Sequence, residues 1–229
     1  MCFSWLYLFP IGISLNIVQI SNPGEGGTAM SSAFHLAADV LSGDPLGKLV
    51  GTAFEDMAST HSDWGRQVVN LVTDGQPNCE YLDDDRYYAR WFWFDNPNPD
   101  PNSAEWAQQF VLGKLDTEAA LTYFNSIVPL NAGEGDEIDA EAVGDDTDVP
   151  WMRDNVVWPQ PGDDTWPPAG PGWVREVADF TELAQTFKEK FQLIFNEIEN
   201  CAEITGGLIR DTNPDKNQDC VTFVPSIVD

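Results

Sequence analysis

From Ile11 to Ile17 apolar and polar residues alternate, with Ile11, Ile13, Leu15 and Ile17 set against Gly12, Ser14 and Asn16. A period of two predicts a β-strand. The turn-rich stretch Ser21-Asn22-Pro23-Gly24-Glu25-Gly26-Gly27 follows, and Thr28 is then placed to cap a helix running to about Leu41. Met30, Phe34, Ala37, Ala38 and Leu41 share one face of that helix. Leu49 to His61 reads as a short helix, and the nearly unbroken apolar run Gln67 to Thr73 as a strand buried on both faces.

Asn78 to Ser103 is too long for an ordinary connection, and its aromatic cluster from Tyr87 to Phe94 argues for an ordered, packed insertion. Two helices are expected next, Ser103 to Phe110 and Asp116 to Ile127, with Ser103 and Asp116 as caps. Glu137 to Val143 is a strand candidate, Asp145 to Gly172 a second insertion rich in Trp and Pro, and Trp173 to Val177 a short strand. Asp179 or Thr181 then opens a helix whose stripe (Phe180, Leu183, Phe187, Phe191, Ile194, Phe195, Ile198) keeps helical spacing and faces a core. Strands alternating with helices predict an α/β fold: a Rossmann-like open parallel sheet flanked by helices, interrupted by insertions at about 78–102 and 145–172. The expected organisation is one domain over residues 1–200 and an acidic, cysteine-containing tail over 201–229.

Charge narrows the partners. With 38 acidic against 11 basic residues the net charge is -27, so a phosphate backbone and an anionic membrane are both repelled. Such a field suits cations or a basic protein surface, and equally a solvated acidic exterior in an extracellular or salt-adapted setting. The 42% apolar content, with nine Trp and thirteen Phe, is ample for a packed core.

Cys2, Cys79, Cys201 and Cys220 allow three pairings if all are oxidised, and a Cys201–Cys220 bridge would close a short polar loop. No Cys-x-x-Cys spacing occurs and only His35 and His61 are present, which argues against zinc. Together with the acidity, the cysteines fit an exported, oxidising environment, with reduced cytosolic thiols as the alternative. The uncharged N-terminal stretch lacks a basic leader and a small-residue cleavage site, and Pro10, Gly12, Asn16 and Gln19 interrupt it. A buried strand is therefore expected there rather than a signal peptide or membrane anchor.

Two motifs carry the candidate chemistry. Gly26-Gly27-Thr28-Ala29-Met30 precedes a helix, and Leu71-Val72-Thr73-Asp74-Gly75 is an apolar run that stops at Asp-Gly. In this order they resemble the second and third metal-site motifs of von Willebrand factor type A domains. Asp136 to Gly144 is similar to the next strand of that fold, and Trp173 to Val177 with the following helix to its last strand and helix. The resemblance implies a metal-ion-dependent adhesion site in which Thr28 supplies a hydroxyl and Asp74 a carboxylate to Mg2+ or Mn2+, a partner's carboxylate completing the octahedron. The family's first motif, Asp-x-Ser-x-Ser, has no counterpart before Thr28. The expectation is therefore a truncated or diverged domain with weak or absent ion binding. The alternative for the same residues is structural: Thr28 caps its helix and Asp74 turns the chain.

A second cation candidate is Asp211, Asn213, Asp215, Asn217 and Asp219, oxygen-bearing residues at alternate positions as in a Ca2+ loop. Lys216 stands where such a loop wants glycine and Thr222 where it wants a bidentate glutamate, which favours a polar turn. Asp83-Asp84-Asp85 reads as solvated. Phosphate-binding glycine loops, nucleophile elbows and His-Glu-x-x-His helices are absent from the sequence. The expected function is thus a non-enzymatic protein-binding or adhesion module. One alternative is a metal-free structural component of a cell-surface or pilus-assembly system, contacting partners through the tryptophan-rich insertion. A hydrolase using clustered carboxylates ranks behind both.

Overall fold

The computed structural model describes residues 3–10, 16–21, 27–52, 54–57, 67–82, 87, 89–92, 100–179, 181–183, 185–186, 188–189, 199–203 and 218–222. The chain divides into two compact units, Met1–Ala178 and Asp179–Asp229.

The first unit is built on a five-stranded sheet. Its strands are β1 (Phe3–Pro10), β2 (Asn16–Ser21), β3 (Gln67–Thr73), β6 (Glu137–Val143) and β7 (Val174–Val177), in the spatial order β2-β1-β3-β6-β7. β3, β6 and β7 run parallel, whereas β1 is antiparallel to both β2 and β3. The architecture is α/β with a small open sheet, parallel in its second half only. Much of the alternating segment expected as one strand, residues 11–15, lies outside the described residues, and strands flank it on both sides. The insertion after β3 contains a short antiparallel pair, β4 (Cys79–Tyr81) and β5 (Ala89–Trp91).

Three helices pack on one face of this sheet: α1 (Met30–Leu41), α2 (Ala104–Ile127) and α3 (Val149–Asn155). Val69, Leu71, Ile138, Ala140 and Ala142 point into the same apolar cluster as Met30, Phe34, Ala37, Leu121, Phe124 and Met152. Phe34 and Phe124 meet edge to face at 6.3 Å, an arrangement favoured by the ring quadrupoles. Every residue of β3 is buried, as its nearly continuous apolar run predicts for a strand covered on both faces, and Gln67, Asn70 and Thr73 are buried with the rest. The same holds for β6, whose alternate residues Glu137, Asp139 and Glu141 are carboxylates. They are buried because each finds a donor: the amides of Gly172 and Trp173 at Glu137 and Asp139, and Asn70 Nδ2 at Glu141 at 2.5 Å.

α2 is one helix where two were expected. Ser103 is its N-cap, accepting from the Trp106 amide at 3.1 Å. Asp116 lies inside it and caps nothing there; its Oδ2 instead accepts from the Tyr81 amide at 2.9 Å, tying the β4–β5 pair to the helix. Gly113, between the two expected helices, marks a close approach. A Cβ there would lie 2.0 Å from the Pro77 carbonyl oxygen, so only glycine lets α2 rest on the segment that follows β3.

The second insertion is ordered through Asp163. Its backbone pairs with Gly172 and Val174, and its carboxylate accepts from the Ala169 amide, the Thr165 hydroxyl and the Thr165 amide. These bonds hold the Asp163 carboxyl below the usual range, with Ala169 the largest contributor. A depressed folded pKa contributes stability that is present above the unfolded value of about 3.9 and is lost as pH falls through the folded value. Asp163→Asn should therefore lower the melting temperature at neutral pH, with the gap to wild type closing as the pH drops below about 4. A pH series of thermal melts checks this; a gap independent of pH would rule it out.

In the second unit, residues 181–183, 185–186 and 188–189 are helical, with the Asp179 carboxylate accepting the Thr181 and Glu182 amides. Of the expected apolar stripe only Leu183 has a described side chain. β8 (Glu199–Glu203) and β9 (Gln218–Thr222) then form an antiparallel pair in which Cys201 and Cys220 are register partners.

Candidate functional site

The C-terminal ends of the parallel strands β3 and β6 bring two loops together, Asp74–Asn78 and Gly144–Asp148. The start of α1 lies beside the first of them. Thr28 donates its amide to Asn78 Oδ1 at 2.7 Å, and Asn78 returns its own amide to the Thr28 carbonyl at 3.3 Å. This reciprocal pair, with both residues buried, fixes Thr28 against the loop. A Cβ on Gly75 would sit 3.0 Å from the Thr28 hydroxyl, so the glycine of Asp-Gly makes room for that oxygen. The Thr73 hydroxyl donates to the Gly75 carbonyl at 3.0 Å and tightens the same turn.

Thr28 does not cap the helix, contrary to the sequence expectation. Ala29 occupies the N-cap, and the helix has no side-chain cap bond among the described residues. The physical reason is the Asn78 pair, which claims the Thr28 backbone and draws its side chain toward Gly75. Within the first turn of α1 Ser31 and Ser32 are wholly buried, and among the described residues their hydroxyls have no partner.

Asp74 follows β3 directly and is exposed, yet its carboxyl is pushed above the ordinary aspartate range. Desolvation by the surrounding protein is the main cause, and repulsion from Asp146 on the neighbouring loop adds to it. Asp148 behaves oppositely. Burial would raise its carboxyl, but the ion pair with Lys114 and the hydrogen bond from the Trp151 amide bring it below the usual range.

Thr28 and Asp74 are thus brought to one loop cluster. Sequence reading missed Asn78 and Asp146, the first fastening the cluster and the second setting its charge. Asn78 carried a faint signal, as a small amide closing the turn after Asp-Gly-Gln-Pro. Among the described residues no group of three or more His, Cys, Asp or Glu side chains is arranged to hold a metal. Of the Ca2+-loop candidates, Asp211, Asn213, Asp215 and Asn217 lie outside the described residues, as do Asp83, Asp84 and Asp85. Asp219 is in β9, opposite Ala202.

The tryptophans of the second insertion form no exposed patch. Trp151, Trp158 and Trp166 are half-buried, and Trp173, which follows the insertion, is buried. Trp151 donates its indole N–H to Glu118 and lies under Lys114, while Trp166 meets Trp173 edge to face and carries Arg175 at 4.0 Å. Cys79 is disulfide-bonded, and no described helix is long and apolar enough to cross a membrane. Compared with protein-family models, with curated proteins and with solved structures, the chain matches none.

Proposed function

We propose that this chain is a von Willebrand factor A-like, Rossmann-type protein-binding module whose contact edge is the loop cluster around Thr28 and Asp74. The observation that carries the reading is the placement of the Thr28 hydroxyl beside Gly75 while the helix behind it goes uncapped. A purely structural Thr28 would have spent that oxygen on the helix. Thr28 and Asp74 would hold Mg2+ or Mn2+ with waters filling most of the remaining positions, and a partner carboxylate or basic group would dock onto the ion or the acidic rim. With so few protein oxygens the ion binds weakly. The oxidised Cys79 supports an extracellular or cell-surface location.

The metal-free structural reading depends on exposed tryptophans in the second insertion, and their half-buried, bonded state does not favour it. The hydrolase reading requires paired carboxylates enclosed in a pocket, whereas Asp74 and Asp146 are both exposed.

Calorimetric titration with Mg2+ and Mn2+ tests the proposal. Wild type should bind in the millimolar range, and Asp74→Ala should abolish the heat. Because protons compete for the raised Asp74 carboxyl, affinity should climb with pH over a window displaced above that of an ordinary aspartate. Asp146→Asn relieves the repulsion and should move this window down. No heat at millimolar ion, or equal heats from wild type and Asp74→Ala, would falsify the reading.

A further inference from the structure

The loop after β6 is assigned nothing by the two sequence motifs, yet it opens on the same edge as the loop after β3. The two strands are parallel neighbours with Thr73 and Ala142 as register partners, so Asp74 and the Gly144–Asp148 segment leave them in the same direction. This second loop is fastened at both ends. The Thr147 hydroxyl donates to the Gly144 carbonyl at 3.2 Å, and Gly144 takes a left-handed φ of 77° that suits glycine. At the far end Asp148 accepts the Trp151 amide and pairs with Lys114 of α2. One residue earlier on that helix, Gly113 lies against Pro77, so adjacent residues of α2 locate both loops.

Between these fastenings Asp145 and Asp146 are exposed, and among the described residues neither forms an ion pair. Asp146 is close enough to Asp74 to repel it. Exposed acids alone specify nothing in a chain of net charge -27. What sets this pair apart is Thr28. It is only 4% exposed, its hydroxyl makes no hydrogen bond among the described residues, and that oxygen stands against Gly75, next to Asp74. A buried hydroxyl with no protein partner, set beside two carboxylates that repel each other, points to a positively charged ligand. We propose, resting on the reading that Thr28 and Asp74 hold a divalent cation, that Asp146 is its third protein ligand, a second carboxylate standing in for the absent Asp-x-Ser-x-Ser motif. Three oxygens from three chain segments supply half of an octahedron, and waters or the partner fill the rest. The charge that repels Asp74 in the free protein becomes attraction once the ion lies between the two carboxylates.

Calorimetric titration of the full chain with Mn2+ at about pH 8, where protons compete little with the ion, tests this. Asp146→Asn should weaken binding about tenfold, and Asp146→Glu, which keeps the carboxylate, should retain most of the affinity. Asp145→Asn removes the same charge one position away and should change affinity by less than about twofold. Both positions are exposed, and unchanged circular dichroism establishes that the variants are folded. A shift of the pH window on Asp146→Asn reports repulsion alone, whereas the affinity above that window reports contact with the ion. If Asp146→Asn weakens binding no more than Asp145→Asn while Asp74→Ala abolishes the heat, the proposal is overturned and the Thr28–Asp74 reading stands. A loss shared equally by Asp146→Glu and Asp146→Asn also overturns it, by showing that the carboxylate is not what matters. A wild type that gives no heat overturns both.

Discussion

Gly113→Ala is expected to destabilise the protein by about 2 kcal/mol or more, although alanine is the better helix former by about 1 kcal/mol. The added methyl would stand 2.0 Å from the Pro77 oxygen, 2.3 Å from its carbonyl carbon and 2.7 Å from the Asn78 nitrogen. All three are backbone atoms, so no rotamer change relieves the overlap. Either α2 moves away or the 76–78 segment shifts, and the second response breaks the Thr28–Asn78 pair. Urea denaturation measures the loss, with exposed Ala107→Gly as the control for propensity alone at about 1 kcal/mol. A Gly113→Ala protein as stable as wild type would refute the packing argument. The substitution should also weaken cation binding in the calorimeter without altering any proposed ligand.

The second large effect is expected at Asp39. This carboxylate is wholly buried on α1 and accepts from two tyrosine hydroxyls, Tyr87 at 2.7 Å and Tyr123 at 2.8 Å. Tyr87 comes from the first insertion and Tyr123 from α2, so one side chain fastens three segments. Burial and the bond to Asp39 push the Tyr87 hydroxyl well above the ordinary tyrosine range, which keeps it a donor at any working pH. Tyr87 also sits at φ 56°, a left-handed conformation that a bulky residue adopts only when its surroundings impose it. Asp39→Ala takes the shared acceptor from both hydroxyls and should cost about 3 kcal/mol. Asp39→Asn keeps one acceptor and should cost about half as much. Tyr87→Phe combined with Asp39→Ala should cost less than the sum of the single changes. Full additivity in that cycle would show that the two groups do not act together.

The sequence was most informative where one physical demand acted alone. β3 is read residue for residue because a strand buried on both faces must be apolar throughout, and Gln67 to Thr73 nearly is. α1 is read to its end because Phe34, Ala37 and Leu41 keep helical spacing. Reading failed where tertiary contact overrode local preference. Two helices, Ser103 to Phe110 and Asp116 to Ile127, were expected where α2 is continuous, and only the proximity of Pro77 reveals the use of Gly113 between them. α3 was hidden inside a Trp- and Pro-rich stretch, although Asp148 accepting the Trp151 amide, with Pro150 in the first turn, is an ordinary helix start. Glu137, Asp139 and Glu141 suggest a strand with one wet face; their donors, Asn70 and the Gly172 and Trp173 amides, are remote in sequence. For the site, sequence placed Thr28 and Asp74 at strand-to-helix loops but could not show that Asn78 ties them together. It also assigned Thr28 a cap that the fold does not use.

The burial of α1 has a kinetic consequence. Every residue from Met30 to Leu41 is buried apart from His35, which is half-covered and stacked at 3.9 Å on Tyr81. A helix enclosed in this way opens only with the unfolding of the whole unit, so its amides should be among the last to exchange with deuterium. Thr28 is attached two residues before that slow element, and its own amide is bonded across to Asn78. The contact edge is therefore held in one geometry before any partner arrives, and little conformational entropy is left to lose on docking. Differences in affinity among partners should then appear as differences in residence time rather than in the rate of capture.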